Sequence, residues 1–538
     1  MALKFTNLID APVLVFGLVG PIGVDLEYAQ ETLIDELKSY NYKSELIHVT
    51  KLMDEIECRT VIDNTNLFTS YSTKIEYANE LRKTHETNDL LAAVAISAIQ
   101  RLQNAYEESV VGKESANKHG NAYIIRQLKT PDEIKLLRSV YGRQFIQVSL
   151  HGSPSKREDY LVTKSKIRSN GTLTEKEARQ EAKDLIDRDR KEDIKYGQNI
   201  SNAFPLGDVF VSSSDKSTTT TSIERFLKAL FGSNEISPTR EEYGMYLAKS
   251  ASLRSSDLSR QVGAAIFSRT GEVISLGSNE VPKAGGGTYW TGDSNDSRDI
   301  QEGHDPNELT KVEIFADILN RLYSDKLLSE DLQSLDGPQQ IVQKLLNGSG
   351  NSKYRDSRVM DLIEFGRIIH AEMSAICDAA RLGISIKDGT LYCTTFPCHL
   401  CAKHIVASGV KKVVYLEPYP KSYAQKLHSD SIEIDSALDN EKVKFQPFIG
   451  ISPFRYRDLF EKGKRKDGSG EAKKWFAEPR RPMIDVVYPS HVEAENLVIA
   501  ELGRLIASKK GENSIPQEER QQKETKNEDG PIVTDTSV

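Results

Sequence analysis

Apolar residues fall in short blocks divided by charged stretches of helical period, a pattern that predicts strands buried between helices. The block 11–16 is continuously apolar and reads as a strand. The turn after it carries Gly17, Gly20 and Gly23, and an amphipathic helix follows to about residue 37. Further strands are expected at 122–128, 145–150 and 205–212, with a capped helix start at Thr130, Pro131, Asp132 and Glu133. The serine- and threonine-rich segment 213–222 reads as a polar linker. Beyond residue 237, the segments 260–267 and 273–277 form an expected β-hairpin turning at Arg269, Thr270 and Gly271. A long insertion, 288–355, follows, with helical stretches at 312–323 and 338–346. A helix at 365–382, a strand at 391–395, a helix at 398–408 closed by Gly409, and strands at 412–416 and 443–448 come next.

Composition narrows the classes. The chain has 538 residues, enough for more than one domain, of which 38% are hydrophobic. It shows no apolar stretch long enough to cross a bilayer and no signal-peptide pattern, so a soluble, cytoplasmic protein without membrane attachment is expected. Seventy-one Lys and Arg against 79 Asp and Glu give a net charge of −8, which argues mildly against a protein that coats duplex nucleic acid. Five cysteines do not make a disulfide framework and suit a reducing compartment.

Two strings carry the chemistry. His370-Ala371-Glu372 and Pro397-Cys398-His399-Leu400-Cys401 supply an imidazole, a carboxylate and two thiols in the order H-x-E…P-C-x-x-C, the signature of zinc-dependent deaminases of cytosine and adenine bases. Zinc takes nitrogen and sulfur donors in a tetrahedron, and a catalytic site leaves one position open. His370, Cys398 and Cys401 fill three places. Cys398 and Cys401, three apart in the first turn of a helix, should face one way, where the helix end favours thiolates. Glu372 is placed to take a proton from the attacking water and to deliver protons to the ring nitrogen and the leaving ammonia. Cys58, Cys377 and Cys393 read as core, and His399 and His404 as decoration of their helix.

The glycine turn at Gly17, Gly20 and Gly23 has the layout of a phosphate cradle, in which backbone N–H groups and a helix end hold anions. Val24, Asp25 and Leu26 stand where a phosphate loop has its glycine, lysine and hydroxyl residue. Three readings stay open: nucleotide hydrolysis, a degenerate loop kept for regulation or assembly, and an ordinary βα turn, the second being favoured. Along the charged helix of 172–190, Arg188 and Arg190 suit phosphate contacts, but salt-bridged solvent faces are the commoner explanation of such runs. At the end of the hairpin, Asn279 can donate and accept at once, which suits a sugar hydroxyl.

From about 241 to 482 the chain resembles deoxycytidylate deaminases, on Arg260 to Ala264, Gly277-Ser278-Asn279, His370-Ala371-Glu372, Phe396 to Lys403 and Tyr456 to Phe460. With its N-terminal part it looks like the bacterial antiphage dCTP deaminases. The resemblance implies an α/β chain in which 1–236 is a P-loop kinase-like, three-layer regulatory domain. Residues 237–507 would be a cytidine-deaminase-like αβα domain holding Zn²⁺, and 508–538 a disordered tail. It implies Glu372 as general acid and base, His370, Cys398 and Cys401 as zinc ligands, and Asn279, Ala371 and Pro397 as substrate contacts. It also implies conversion of dCTP and dCMP to deoxyuridine nucleotides that exhausts dCTP during phage infection, restraint through a partner RNA in some systems, and a homo-oligomer. Glu280 replaces a glycine common in this loop of the family. The competing readings are a housekeeping dCMP deaminase, a deaminase of tRNA or single-stranded DNA, and a nucleotide or RNA sensor whose deaminase half is inactive.

Overall fold

The computed structural model of the protein describes residues 11–110, 119–168, 173–190, 192, 194–347, 354–355, 357–419, 421–435, 441–477, 480–484 and 490–513. The chain forms two compact units. One comprises the chain up to Ser237 and again from Arg457, and the other is Pro238–Tyr456.

In the first unit, β1 (Leu14–Val19) leads to α1 (Leu26–Lys38) and β2 (Tyr42–His48), then α2 (Leu67–Thr84), α3 (Leu90–Val110) and β3 (Gly120–Arg126). The chain continues through α4 (Pro131–Tyr141), β4 (Phe145–His151), α5 (Pro154–Arg168), α6 (Glu175–Arg190), β5 (Val209–Ser212) and α7 (Lys216–Leu230). The strands of this unit run β5-β4-β1-β3-β2, all parallel. β1 lies between β3 and β4 and is buried along its whole length, which is why its sequence is continuously apolar rather than alternating. Gly17 belongs to this strand, not to the turn after it; a Cβ there would come within 2.8 Å of Leu128 and Phe145.

Thr130 and Glu133 form a reciprocal capping box at the start of α4, and Glu133 also pairs with Arg82 at 2.9 Å with both side chains buried. The expected linker at 213–222 is instead mostly helix. Asp215 caps α7 by accepting from the Thr218 N–H at 2.8 Å. Ile223, Phe226, Leu227 and Leu230 are buried, and this packing overrides the polar composition of the first turns.

The second unit holds α8 (Arg240–Ser252), the hairpin β6 (Gly263–Phe267) and β7 (Val273–Ser278), the insertion helices α9 (Pro306–Ser324) and α10 (Pro338–Asn347), and α11 (Ala371–Arg381). β8 (Thr390–Thr395), α12 (His399–Ala407), β9 (Lys412–Glu417), β10 (Ile432–Ile434) and β11 (Val443–Pro447) complete it. Its sheet runs β10-β11-β9-β8-β6-β7, with β6 antiparallel to both neighbours and the other pairs parallel.

Two glycines set the layers. A Cβ on Gly263 would lie 1.9 Å from the Ala248 carbonyl oxygen of α8, and one on Gly277 would lie 2.1 Å from that of Ala371 in α11. Gly277 pairs with Ala264 and Gly263 with Ser278, so the two glycines face opposite sides of the sheet, and α8 and α11 cover those two sides. α11 starts later than the expected residue 365. Ile369 is held extended in a bridge to Glu280, and helical geometry begins only after His370.

Past residue 456 the chain leaves this unit, which corrects the expected span of 237–507. The C-terminal helix α13 (His491–Asn513) carries Ala494, Val498, Leu502 and Ile506 one turn apart, and these pack into the core of the first unit beside α3. The tail expected from 508 therefore begins as helix through Asn513, and 514–538 lies outside the described residues. No helix among the described residues is long and apolar enough to cross a membrane.

Candidate metal centre and active site

The ends of two helices and a hairpin meet at one point of the second unit. His370 is the residue before α11, fixed by the Ile369–Glu280 bridge. Cys398 caps α12, its sulfur accepting from the Cys401 N–H at 3.5 Å, so the sulfurs of Cys398 and Cys401 converge across one helical turn. His370 Nδ1 lies 3.2 Å from Cys398 Sγ and 3.4 Å from Cys401 Sγ. The ligand atoms of the three residues all lie within 4.8 Å of one another.

Nitrogen and sulfur bound to one tetrahedral zinc would be about 3.5 Å apart. Two soft sulfurs and one imidazole, already at that separation, fit zinc and leave one coordination position free. Within the cluster the thiols share a hydrogen bond that lowers the Cys398 thiol, helped by His370, and raises that of Cys401. The hydrogen bond to Cys398 holds the imidazole up, to about 9. Glu372, 4% exposed, lies beside the cluster with Oε2 3.6 Å from the Cys401 sulfur. Burial raises its carboxyl above the ordinary range.

Residues 238–417 match the family model described as the cytidine and deoxycytidylate deaminase zinc-binding region. This part of the chain is a cytidine and deoxycytidylate deaminase domain. The chain is 56% identical over 54 residues to the deoxycytidylate deaminase of Enterobacteria phage T2, a match covering 10% of this chain and 29% of that protein. It is 34% identical over 90 residues to ComE operon protein 2 of Bacillus subtilis, covering 15% of this chain and 48% of the relative. The chain thus spans less than half the length of either relative. Among solved structures, the dCMP deaminase of cyanophage S-TIM5 in complex with dCMP and dUMP is 20% identical, with 39% of this chain and 98% of that one covered at a TM-score of 0.22.

A cavity of about 410 Å³ opens over the cluster in the deaminase domain, lined by His370, Ala371, Glu372, Cys398, Phe396 and Asn279, among others. The Asn279 side chain is largely committed to the protein. Its Oδ1 accepts from the Val262 N–H at 2.7 Å, and its Nδ2 donates to the Arg260 carbonyl at 2.7 Å and to Asp257 at 3.0 Å. Both donors are used, which leaves one lone pair of Oδ1 for a ligand hydroxyl. Pro397 is buried outside this lining, its carbonyl accepting from the Ser422 hydroxyl at 2.8 Å, so it frames the site rather than facing the cavity.

The cavity also shows what the sequence left unassigned. Arg260 and Lys421 bring cations to its wall, and the insertion contributes Asp299, Asp305, Asn307, Glu308 and Lys311. Asn307 donates to the Leu362 carbonyl at 2.9 Å, and Lys311 donates to that of Met360 at 3.0 Å, tying the first two turns of α9 to the segment that leads into His370. No motif spacing encodes these contacts; polar residues before and within the first two turns of the insertion helix are the only sequence signal. Cys393 is buried, as its strand position implies, but Cys377, expected in the core, faces outward from α11.

The glycine turn of the first unit is already occupied. The Ile22 N–H donates to Asp189 Oδ2 of α6 at 2.6 Å, and Lys129 Nζ bridges Asp189 Oδ1 at 2.7 Å and the Gly20 carbonyl at 3.1 Å. Asp189 is fully buried and stands where a cradle of this layout would hold an anion, with Lys129 supplying the missing cation from elsewhere in the chain. Gly23 turns the loop with φ of +95°, and a Cβ there would come 2.7 Å from the Arg157 carbonyl oxygen. Arg188 pairs with Glu192 at 2.8 Å and Glu76 at 3.1 Å, the salt-bridged arrangement.

Proposed function

We propose that the chain hydrolytically deaminates deoxycytidine nucleotides, dCTP and dCMP, to the deoxyuridine nucleotides, and that it serves to exhaust dCTP in defence against phage. The observation that carries the reaction is the convergence of His370, Cys398 and Cys401 beside a buried Glu372 on one cavity. Zinc held there supplies Lewis acidity that makes water nucleophilic near neutral pH. Glu372 takes the proton of the attacking water as its oxygen bonds to C4 of the base. It passes that proton to the ring nitrogen, takes a second from the hydroxyl now on C4 and gives it to the amine; the C4–N4 bond breaks as the C4 carbonyl forms, and ammonia leaves. Asn279 receives a sugar hydroxyl on its remaining lone pair, and Arg260 and Lys421 counter phosphate charge.

The triphosphate reading is supported by the resemblance of the whole chain to dCTP deaminases and by the extra first unit, whose parallel sheet and glycine turn suit a kinase-like domain kept for control. The names of the relatives favour dCMP instead, as a housekeeping substrate. The test is release of ammonia from dCTP, dCMP, CTP and single-stranded DNA by the purified full chain. Turnover of dCTP at or above the rate on dCMP supports the defence reading. Turnover of dCMP alone leaves the housekeeping one, and turnover of single-stranded DNA alone overturns both.

A further inference from the structure

We infer that Asp299 and Asp305, brought by the insertion to the wall of the deaminase cavity, act with Asp257 to admit a sugar with a free 3′-hydroxyl and to exclude one that carries a 3′-phosphate. They are specificity-determining residues, and they refuse polynucleotides at a zinc centre whose chemistry serves free and polymerised bases alike. The inference rests on the reading that the chain deaminates deoxycytidine nucleotides.

The cavity has two electrostatic ends. At one, burial raises the Tyr419 hydroxyl and Cys398 adds to this, while Arg260 and Lys421 pull it down, so both cations act beside this ring. At the other, burial raises the Asp299 carboxyl, Arg367 lowers it, and Asp305, Asp257 and Glu280 raise it again. A 5′-phosphate is met at the first end. The sugar of a 2′-deoxynucleotide then keeps a single free hydroxyl, the 3′-OH, and the open lone pair of Asn279 Oδ1 receives it. Asn279 stands against the acidic end, because Asp257 Oδ2 accepts from its Nδ2 at 3.0 Å. A 3′-phosphate would have to enter there.

That end offers a phosphate nothing. Asp257 Oδ1 accepts from the N–H groups of Ser259 and Arg260 at 2.6 and 3.0 Å. Asp305 accepts from the Asn307 N–H at 2.9 Å and so meets the positive end of α9 with its own carboxylate. Neither has an ion pair among the described residues. Lys311, the cation of this wall, is spent on Glu308 at 2.6 Å and on the Met360 carbonyl at 3.0 Å. Asp299, 3% exposed, has the Arg367 guanidinium at 3.3 Å but makes no hydrogen bond through Oδ1. What stays open here is acceptor capacity. A hydroxyl can donate to it, whereas a phosphodiester has no proton to give and adds a like charge, which costs most where water is scarce.

The test compares dCMP and dCTP with their 3′-phosphate esters on the zinc-loaded full chain, as kcat/KM from ammonia release. Wild type should prefer the parent nucleotide by roughly 10²-fold or more, and the preference should narrow between about 0.05 and 0.5 M salt as the repulsion is screened. Asp305→Asn, which keeps the helix cap, should cut the preference by roughly tenfold. Asp299→Asn should act in the same direction, which keeps the test open if Asp305→Asn fails to fold. Equal turnover of ester and parent by wild type, or a preference that both variants leave unchanged, would overturn the inference while leaving the deaminase reading intact. Release of ammonia from none of these nucleotides would overturn that reading and the inference with it.

Discussion

Glu280 and Ile369 pair through their backbones, N–H to carbonyl at 3.3 and 3.1 Å in the two directions, and so tie the end of the β6–β7 hairpin to the residue before His370. The bridge explains how two segments far apart in sequence place Asn279 and His370 on one cavity. It also gives the Glu280 side chain a task. Buried at 1% exposure, its Oε2 accepts from the Ser256 N–H at 3.0 Å and from the Ser256 hydroxyl, and its Oε1 accepts from the Val281 N–H at 2.9 Å.

Glu280→Ala leaves those donors buried and unmet, at a cost of about 1–3 kcal/mol. The variant should unfold at lower urea than the parent and retain its zinc, because no metal ligand is touched. Denaturant titration and metal analysis on the same preparation check both halves. A variant of unchanged stability would show that the carboxylate does not brace the loop.

Glu372→Gln keeps the shape and hydrogen-bonding reach of the side chain but cannot carry a proton. Zinc content should be unchanged and turnover should fall by roughly 10²–10⁴-fold, the ordinary contribution of a positioned acid and base. Rate on deoxycytidine nucleotides and zinc stoichiometry, measured together, distinguish this from a collapsed metal site. A full rate with bound zinc would remove Glu372 from the mechanism.

The metal cluster was legible because its spacing is chemical: a helix-first-turn pair of thiols and an imidazole preceding another helix leave few alternatives. Asn279 was legible as a position at the hairpin end, but not as a residue committed to Val262, Arg260 and Asp257, since those partners come from a loop whose course depends on tertiary packing. The glycine turn was legible as a turn, but its occupancy was not, for a related reason. Local sequence shows an empty cradle, whereas its anion, Asp189, stands 167 residues after Ile22. The run of threonines before Ile223 read as linker because composition says nothing of the core that waits for Phe226 and Leu230.

Asp189 and Lys129 form a buried pair, with side chains 0% and 9% exposed. Asp189→Ala strands an ammonium beside the glycine turn and should destabilise the first unit by about 3–5 kcal/mol. Asp189→Asn still offers an oxygen to the Ile22 N–H and should cost less. Pairing Asp189→Leu with Lys129→Met removes both charges together and should recover most of the loss. Thermal unfolding of the three proteins measures the order. Equal losses in Asp189→Ala and the double variant would show that the pair contributes through packing rather than charge.

Glu495 of α13 is fully buried against the first unit, and burial pushes its carboxyl up to about 7, with Tyr141 and Gln103, which face it, pulling the other way. A carboxyl held higher in the folded than in the unfolded state favours folding in its protonated form. That stabilisation is complete below the ordinary value of 4.5 and is lost as pH rises through 7, where the folded protein must either ionise a buried group or release the helix. The dependence runs opposite to that of a salt-bridged carboxylate. Glu495→Gln removes the titration, so the stability of wild type relative to the variant should fall between about pH 4.5 and 7 and level off above. Amide exchange in α13 should follow the same course, faster at pH 8 than at pH 5 in wild type after correction for the intrinsic rate, and flat in the variant. A parallel pair of stability curves would mean that Glu495 reaches water in the folded protein and that α13 is docked by Val498, Leu502 and Ile506 without a proton-linked term.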